Sequence, residues 1–146
     1  MTADLRAAKR DFTNAELLTL FATPVEMIPA AGTGTVIVPI AAVARLVRGT
    51  VAYSTSTNVF LVYQTDTINL LVAGSLPVLF ANSPGGVLDQ LFHSTRVNTY
   101  TGTNNFNPSN RAVMATLAAD LNLGSASDIL RVNVLYHVVP AAALGY

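Results

Sequence analysis

The clearest pattern in the chain is the alternation of apolar and polar residues over Ile129–Pro140. One side of this segment carries Leu130, Val132, Val134, Tyr136 and Val138, and the other side carries Arg131, Asn133 and His137. A period of two, rich in valine and aromatic residues, predicts a β-strand with one buried face. We therefore predict a central strand of an antiparallel sheet here, with the Tyr136 side chain buried.

Similar patterns predict further short strands and turns along the chain. Thr13 or Asn14 is placed to cap a short helix, which the Thr23-Pro24 pair ends. Two glycines in residues 29–34 predict a hairpin turn rather than a phosphate-binding loop. The predicted helices cover residues 15–21, with Leu17, Leu18 and Phe21 on one side, and residues 87–92. The predicted strands cover residues 25–28 (Glu26 outward), 35–48 (bent at Pro39), 51–54, 58–64 (apolar on both faces), 68–72, 76–80, 96–101 and 129–140. A helix is the alternative for residues 35–48, where the β-branched residues favour a strand, and residues 111–118 are ambiguous between a strand, which we favour, and a helix.

The number and spacing of these segments indicate the fold class. About eight strands with turns at intervals of about 8–12 residues are typical of an all-β antiparallel sandwich of the jelly-roll kind. We expect a single such domain over residues 12–146, with one or two short helices. Residues 1–11 mix charges of both signs, so we expect an N-terminal arm that frays or orders against a partner. Removal of this arm should leave the fold intact.

The composition suggests that part of the surface is covered in an assembly. Of the 146 residues, 51% are hydrophobic and only 11% are charged, whereas about 25% is usual in soluble domains. Asp66 is the only charged residue in the sequence from residue 49 to residue 88. Such a stretch would make a lone domain prone to association. We therefore expect a symmetric homo-oligomer, a trimer.

Several function classes find little support in the residues. The formal net charge is zero, which argues against attraction to nucleic acid or to an acidic lipid surface. The longest apolar runs are too short to cross a bilayer. There is no cysteine, which excludes disulfides, thiolate metal sites and a cysteine nucleophile. The first residues lack the apolar core of a secretory signal, which favours a soluble cytosolic product.

No motif in the chain is typical of catalysis. Asp89, His93 and Ser94 are the residue types of a hydrolytic triad, but no Gly-x-Ser-x-Gly elbow accompanies them. The two histidines, His93 and His137, lack the spacing of a zinc site, and residues 120–128 lack the alternating ligands of a calcium loop. We therefore expect no catalytic residue, metal site or cofactor, and interpret His137 as a hydrogen-bonded surface or interface residue.

The basic residues are unusual in type, because seven of the eight are arginine. Arginine is enriched and lysine depleted at protein–protein interfaces, although a GC-rich genome produces the same bias. We take six basic residues as candidate partner contacts: Arg6, Lys9, Arg10, Arg45, Arg48 and Arg131.

Four segments of the chain resemble small structural proteins encoded in the virion gene clusters of tailed bacteriophages. The segments are Thr-x-x-Glu-Leu-Leu-x-Leu-x-Ala-Thr-Pro-Val at residues 13–25, a Pro-Ala-Gly turn leading into a Val/Ile strand at 29–38, Leu-x-Tyr at 61–63 and Val-x-Val-x-Tyr-x-Val-Val at 132–139. The resemblance covers both ends of the chain and is poor over residues 68–110.

This resemblance implies a function. Proteins similar to these act as capsid decoration or cement proteins, which are β-sandwich trimers that sit on the shell and bridge capsomers. We therefore expect a non-enzymatic protein of the capsid surface, made in the host cytoplasm, that binds the major capsid protein and copies of itself, and neither nucleic acid nor membrane. A tail or neck protein is one alternative. A carbohydrate-binding jelly-roll module is another, because that fold hosts such sites, but the chain has no tryptophan for a glycan platform.

Overall fold

The structure, a computed structural model, describes residues 4–55, 57, 59–64, 86–93 and 107–145. Its elements are, in chain order, β1 (Leu5–Thr13), α1 (Asn14–Thr19), β2 (Val25–Ile28), β3 (Thr35–Arg48), β4 (Val59–Tyr63), β5 (Gly86–His93), β6 (Val113–Leu117), β7 (Ile129–Pro140) and the 3-10 helix η1 (Ala141–Leu144). The strands form two antiparallel sheets, with orders β1-β7-β3-β5 and β2-β6-β4. The predicted all-β sandwich is confirmed, and so are the predicted bounds of β2, β3 and β7.

Strand β7 is central in the larger sheet, as the alternation predicts. It pairs with β1 on one side and with β3 on the other. The inward side chains of Leu130, Val132 and Val134 are at most 2% exposed. Tyr136, in contrast, is only half-buried, so the prediction that it is buried is wrong. A bulge at Pro39–Ala41 in β3 shifts the register beside Tyr136, and residues 136–140 are half-buried without alternation.

The core lies between the two sheets, and α1 contributes to it. Both sheets and the helix supply fully buried side chains. They include Phe12, Leu17, Leu20, Ile28, Ile37, Leu46, Val113 and Leu130. Burying one such leucine or phenylalanine contributes about 1.5–3 kcal/mol, so this cluster is the main source of stability.

Helix α1 begins at the predicted place. Thr13 is the N-cap: its hydroxyl accepts a hydrogen bond from the Glu16 amide, and its own amide donates to Glu16 Oε2 at 2.9 Å. This capping box satisfies two backbone donors that a helix start leaves unpaired. The helix ends at Thr19, two residues earlier than predicted. As a result Leu20 is buried while Phe21 is 46% exposed, which corrects the expected position of Phe21.

Residues 5–11 do not form the free arm that we expected. They belong to β1, which pairs with β7 over nine residues, from Leu5 opposite His137 to Thr13 opposite Ile129. Phe12 is the one fully buried residue of this strand, so the backbone ladder rather than an apolar face holds it in place. Edge strands of this kind carry little apolar periodicity, which explains why the sequence pattern missed it. Removal of residues 1–11 takes away most of this ladder, and we expect it to destabilise the fold.

The turn over residues 29–34 connects the two sheets and is not a hairpin. β2 pairs with β6, whereas β3 pairs with β5 and β7, so the strands on either side of the turn enter different sheets. Gly32 and Gly34 adopt the positive φ angles that a tight turn requires. Local sequence predicts where a chain turns, but not which sheet receives the next strand.

Residues 87–92 form part of strand β5 and not the predicted helix. β5 pairs with β3, from Ala41 opposite His93 to Arg48 opposite Gly86. The helix prediction rested on a Ser-Pro-Gly-Gly start and on the position of Asp89 in the first turn. Pairing with the open edge of β3 overrides these local signals, as tertiary context commonly does.

The smaller sheet confirms the strands predicted over residues 58–64 and 111–118. In β6 the inward residues are Val113, Ala115 and Leu117. In β4, Val59, Leu61 and Tyr63 are buried on one face and Val62 is buried on the other, where Phe60 is half-buried. Residues 51–54 do not form the predicted strand; Tyr53 makes an isolated bridge with Leu123. The strands predicted over 68–72, 76–80 and 96–101 lie outside the described residues. In the described part of the chain no helix is long and apolar enough to cross a membrane.

Candidate interaction surface

The outward face of the larger sheet is the candidate functional surface. Residues two apart along a strand share a face, so the register fixes which positions lie side by side. Across β1, β7, β3 and β5, the outward register positions form four rows: Thr13, Ile129, Val47 and Val87; Asp11, Arg131, Arg45 and Asp89; Lys9, Asn133, Val43 and Leu91; and Ala7, Leu135, Ala41 and His93. We call this surface the outer face, and its second row the charged row.

A bidentate ion pair between Arg131 and Asp11 holds one end of the charged row in place. Arg131 donates from Nε to Asp11 Oδ1 and from a terminal nitrogen to Asp11 Oδ2, both at 2.8 Å. These hydrogen bonds lower the pKa of Asp11 below its ordinary value, and they raise the pKa of Arg131. Arg45 occupies the next register position, between Arg131 and the position of Asp89. By register the row therefore runs from Asp11 on β1 through Arg131 and Arg45 to the position of Asp89 on β5.

Exposed aliphatic side chains surround the charged row. Five of them are 37–59% exposed: Leu5, Val43, Val47, Ile129 and Leu135. Single exposed aliphatic residues are common on protein surfaces, but here they share one sheet face with arginines. Clustered exposed apolar residues mark interaction surfaces, and arginine is enriched at protein–protein interfaces, which makes this face a candidate docking surface.

The six basic residues chosen from the sequence fall on two sides of the larger sheet. Lys9, Arg45 and Arg131 take outward register positions, whereas Arg6, Arg10 and Arg48 take inward ones. Arg6 lies near the start of β1, 3.9 Å from the carboxylate of Asp4. The register thus divides a set that sequence reasoning treated as equivalent.

Arg10 is bound within its own chain. Its guanidinium donates to Glu16 Oε1 and to the carbonyl oxygen of Glu26, both at 3.2 Å. Its charge centre lies 5.3 Å from the ring centroid of Phe12, which is a favourable cation–π distance. These contacts connect β1 with α1 and β2, so they give Arg10 a role in the fold.

Sequence reasoning missed the outer face as a whole. The charge pattern places Asp11 in a free arm, and no pattern in the sequence distinguishes Val43 or Leu135. The alternation of β7 did place Arg131 and Asn133 on the polar side of that strand, which was the available signal. Finding which residues of β1, β3 and β5 lie beside Arg131 and Asn133 requires the strand register. That register depends on pairing between residues as far apart in the chain as Asp11 and Arg131.

A buried polar network holds the loops at one end of the sandwich. The fully buried carboxylate of Asp128 accepts hydrogen bonds from the Gly49 amide at 2.6 Å and the Ser125 amide at 2.8 Å. The Tyr53 hydroxyl donates to Asn14 Oδ1 at 2.9 Å. Burial, with a smaller contribution from Asp128, raises the pKa of Tyr53 well above its ordinary value. These contacts satisfy buried polar groups that would otherwise destabilise the fold.

The geometry does not assemble the triad considered from the sequence. Asp89 and His93 lie four residues apart on the extended strand β5, a separation of about 13 Å along the chain, and Ser94 lies outside the described residues. His137 is half-buried at an outward position of β7, beside Leu5 and Val38. Within the described ranges, no group of three or more histidine, aspartate or glutamate residues is placed to hold a metal ion.

Comparison with known proteins adds the following findings. No protein-family model matches this chain, and no curated protein matches it. Among solved structures, a chain of the one described as "Capsid of Ralstonia phage GP4" is similar, with a TM-score of 0.47 and 18% sequence identity. The similarity covers 93% of this chain and 86% of that chain.

Proposed function

We propose that this chain is a structural protein of a tailed-phage virion and, more specifically, a capsid decoration protein. In this role it binds the assembled major capsid protein and stabilises the shell without catalysing a reaction. The observation that carries the proposal is the outer face, where exposed aliphatic side chains surround arginines on a sheet. The low charge of the whole chain, 11% of its residues, also suits a protein whose surface is partly covered.

The dimensions of the outer face suit a docking role. Four strands about 4.8 Å apart, with about 3.4 Å of rise for each of the nine residues of β1, give a face of about 19 Å by 31 Å. That is about 600 Å², compared with the roughly 800 Å² that each partner contributes to a standard interface. The outer face therefore provides most of one side of a stable contact.

The sequence resemblance gives the proposal its specific content. The segments at residues 13–25 and 132–139 resemble virion proteins that decorate the capsid. In this chain the first segment forms the capped helix α1 and its connection to β2, and the second forms most of the central strand β7. The resemblance thus involves elements that build the sandwich and carry the outer face.

The proposal is tested by mixing the purified chain with empty shells of the phage that encodes it. We expect the chain to sediment with assembled shells and not with unassembled capsid subunits, because binding one state alone stabilises that state by mass action. Shells carrying the chain should break at a higher temperature than bare shells. Absence of binding, or equal heat resistance with and without the chain, would contradict the proposal and favour a tail or neck position.

We also propose that the free chain is a homotrimer. The motive is the low charge of residues 49–88, which would favour association of single domains. Sedimentation equilibrium at micromolar concentration should give three times the mass of one chain. A monomer at that concentration would contradict this part of the proposal.

A further inference from the structure

We propose that Leu123, in the loop between β6 and β7, is an anchor residue that inserts into an apolar pocket of the shell protein. This inference rests on the proposed function, which supplies the partner, but it concerns a loop and not the outer face. Two observations carry it, the left-handed backbone of Leu123 and the exposure of its side chain. Neither of them stabilises the isolated chain.

Leu123 is the exception among the left-handed residues of the described ranges. Its φ angle is +68°, and the other non-glycine residue with a positive φ there is Asn110. Asparagine tolerates this region because its short polar side chain bonds locally, whereas the Cβ of an ordinary residue crowds the following carbonyl oxygen. The remaining positive φ angles in the described chain belong to glycines. A leucine at this position therefore raises the free energy of the folded chain.

The neighbouring residues hold Leu123 in this conformation. Leu123 forms the isolated bridge with Tyr53, and the carbonyl oxygen of Asn122 accepts a hydrogen bond from the Ser54 amide at 3.1 Å. On the other side, Gly124 has a φ of +84°, and a Cβ added to it would lie 2.5 Å from Tyr53 Cε1. The backbone is thus fixed both before and after Leu123, so a small shift of the loop does not relieve the strain.

The side chain of Leu123 is also placed unfavourably for the isolated chain. It is 60% exposed, more than any other large hydrophobic residue of the described ranges. The nearby loop residues Asn122, Ala126 and Ser127 are exposed and uncharged. Strained and locally inconsistent residues are found mainly at functional sites. A partner that buries Leu123 accounts for a residue that destabilises the free chain through both its backbone and its exposure.

The chemistry of Leu123 defines the partner site. An aliphatic side chain without polar atoms requires an apolar pocket, and the uncharged residues around it require no charge at the rim of that pocket. Since the loop is already fixed, binding costs little conformational entropy. A second copy related by a two-fold axis through this loop would present another exposed leucine and not a pocket. The shell protein is therefore the partner to which we assign the pocket.

The test uses Leu123→Asn, because the inference predicts effects of opposite sign on stability and on binding. Asparagine relieves the left-handed strain, so the melting temperature should rise by about 2–4 °C. The same change removes the anchor, so the affinity for empty shells of the encoding phage should fall at least about tenfold, as expected when one leucine is no longer buried. Leu144→Asn is the matched control, since Leu144 is an exposed leucine in η1, beyond the opposite end of β7. It should leave the affinity within about twofold of wild type.

The other outcomes are distinguishable. Leu123→Met keeps an apolar side chain of similar volume and should bind like the wild type. Binding by Leu123→Asn as tight as that of the wild type, or a lower melting temperature for this variant, would overturn the inference and leave the proposed function standing. Loss of self-association in Leu123→Asn, measured by sedimentation equilibrium, would show that a second copy receives the leucine and would overturn the choice of partner. Failure of the wild type to bind shells would contradict the proposed function itself, and the inference with it.

Discussion

The two faces of the larger sheet are built from the same strands but differ in chemistry. The inner face of β7 presents Leu130, Val132 and Val134, all at most 2% exposed, to the core. Its outer face presents a salt-bridged arginine and the half-exposed Leu135. Since neighbouring residues of a strand point to opposite faces, one segment supplies stability on one side and leaves the other side available for recognition. Substitutions on the two faces should therefore have separable effects on folding and on binding.

The largest expected difference lies between two leucines of the same strand. Leu130→Ala should lower the free energy of unfolding by about 2–5 kcal/mol, because it leaves a cavity in a close-packed core. Leu135→Ala, five residues further along β7, should change it by no more than about 0.5 kcal/mol. Chemical denaturation of both variants measures the difference. Equal losses would show that the two faces are not distinct.

A smaller difference is expected between two arginines. Arg10→Ala should destabilise the protein by about 1 kcal/mol, because it removes a hydrogen bond to Glu16, one to the Glu26 carbonyl and a cation–π contact. Arg131→Ala removes an exposed ion pair and should leave stability unchanged within the error of the measurement. Denaturation melts compare the two. A larger loss for Arg131→Ala would assign a folding role to the outer face.

The junction of β1 with α1 provides a third test of the inner side. Thr13→Ala removes the N-cap hydroxyl of α1 and should cost about 1 kcal/mol. Thr19→Ala is the control, because its hydroxyl bonds only to carbonyl groups within the same helix and lies exposed. If both threonines prove equally dispensable to thermal stability, the capping box does not anchor the helix.

The smallest expected effect concerns the pH dependence of the free energy of unfolding. Hydrogen bonding from the Thr13 backbone, together with contacts from Arg10, lowers the pKa of Glu16 from its ordinary value of 4.5. A lowered folded-state pKa means that the unfolded chain binds the proton more readily, so this contribution is complete above pH 4.5 and is lost as the pH falls through the folded-state value. Glu16→Gln should flatten the decline of stability at acid pH. A decline as steep as that of the wild type would show that Glu16 does not contribute to it.

The strands that the sequence predicts well are those whose own side chains define a buried face. β7 and β3 alternate or are rich in β-branched residues, and β2 has a proline before it, so local chemistry sets their bounds. Strand β1 is not predicted, because Phe12 is its one fully buried residue and backbone pairing with β7 leaves no hydrophobic periodicity in the sequence. Strand β5 is not predicted, because the residues at its start favour a helix, whereas pairing with β3 favours a strand.

The candidate site illustrates the same limit at the level of single residues. The sequence identifies arginine as the interface residue type, but it cannot show that Arg10 bonds with Glu16 while Arg131 lies on the opposite side of the sheet. The pairing of Asp11 with Arg131 joins residues 120 positions apart in the chain. Such contacts come from strand register, which one sequence specifies only through the whole fold.

The central claim is that the outer face of the larger sheet binds the capsid shell. Electron cryomicroscopy of the intact particle of the encoding phage tests it most directly. We expect density for this β-sandwich on the shell, with Arg45 and Leu135 of the outer face against the major capsid protein. Density for the chain at the tail or neck, or on the shell with the outer face turned to solvent, would contradict it.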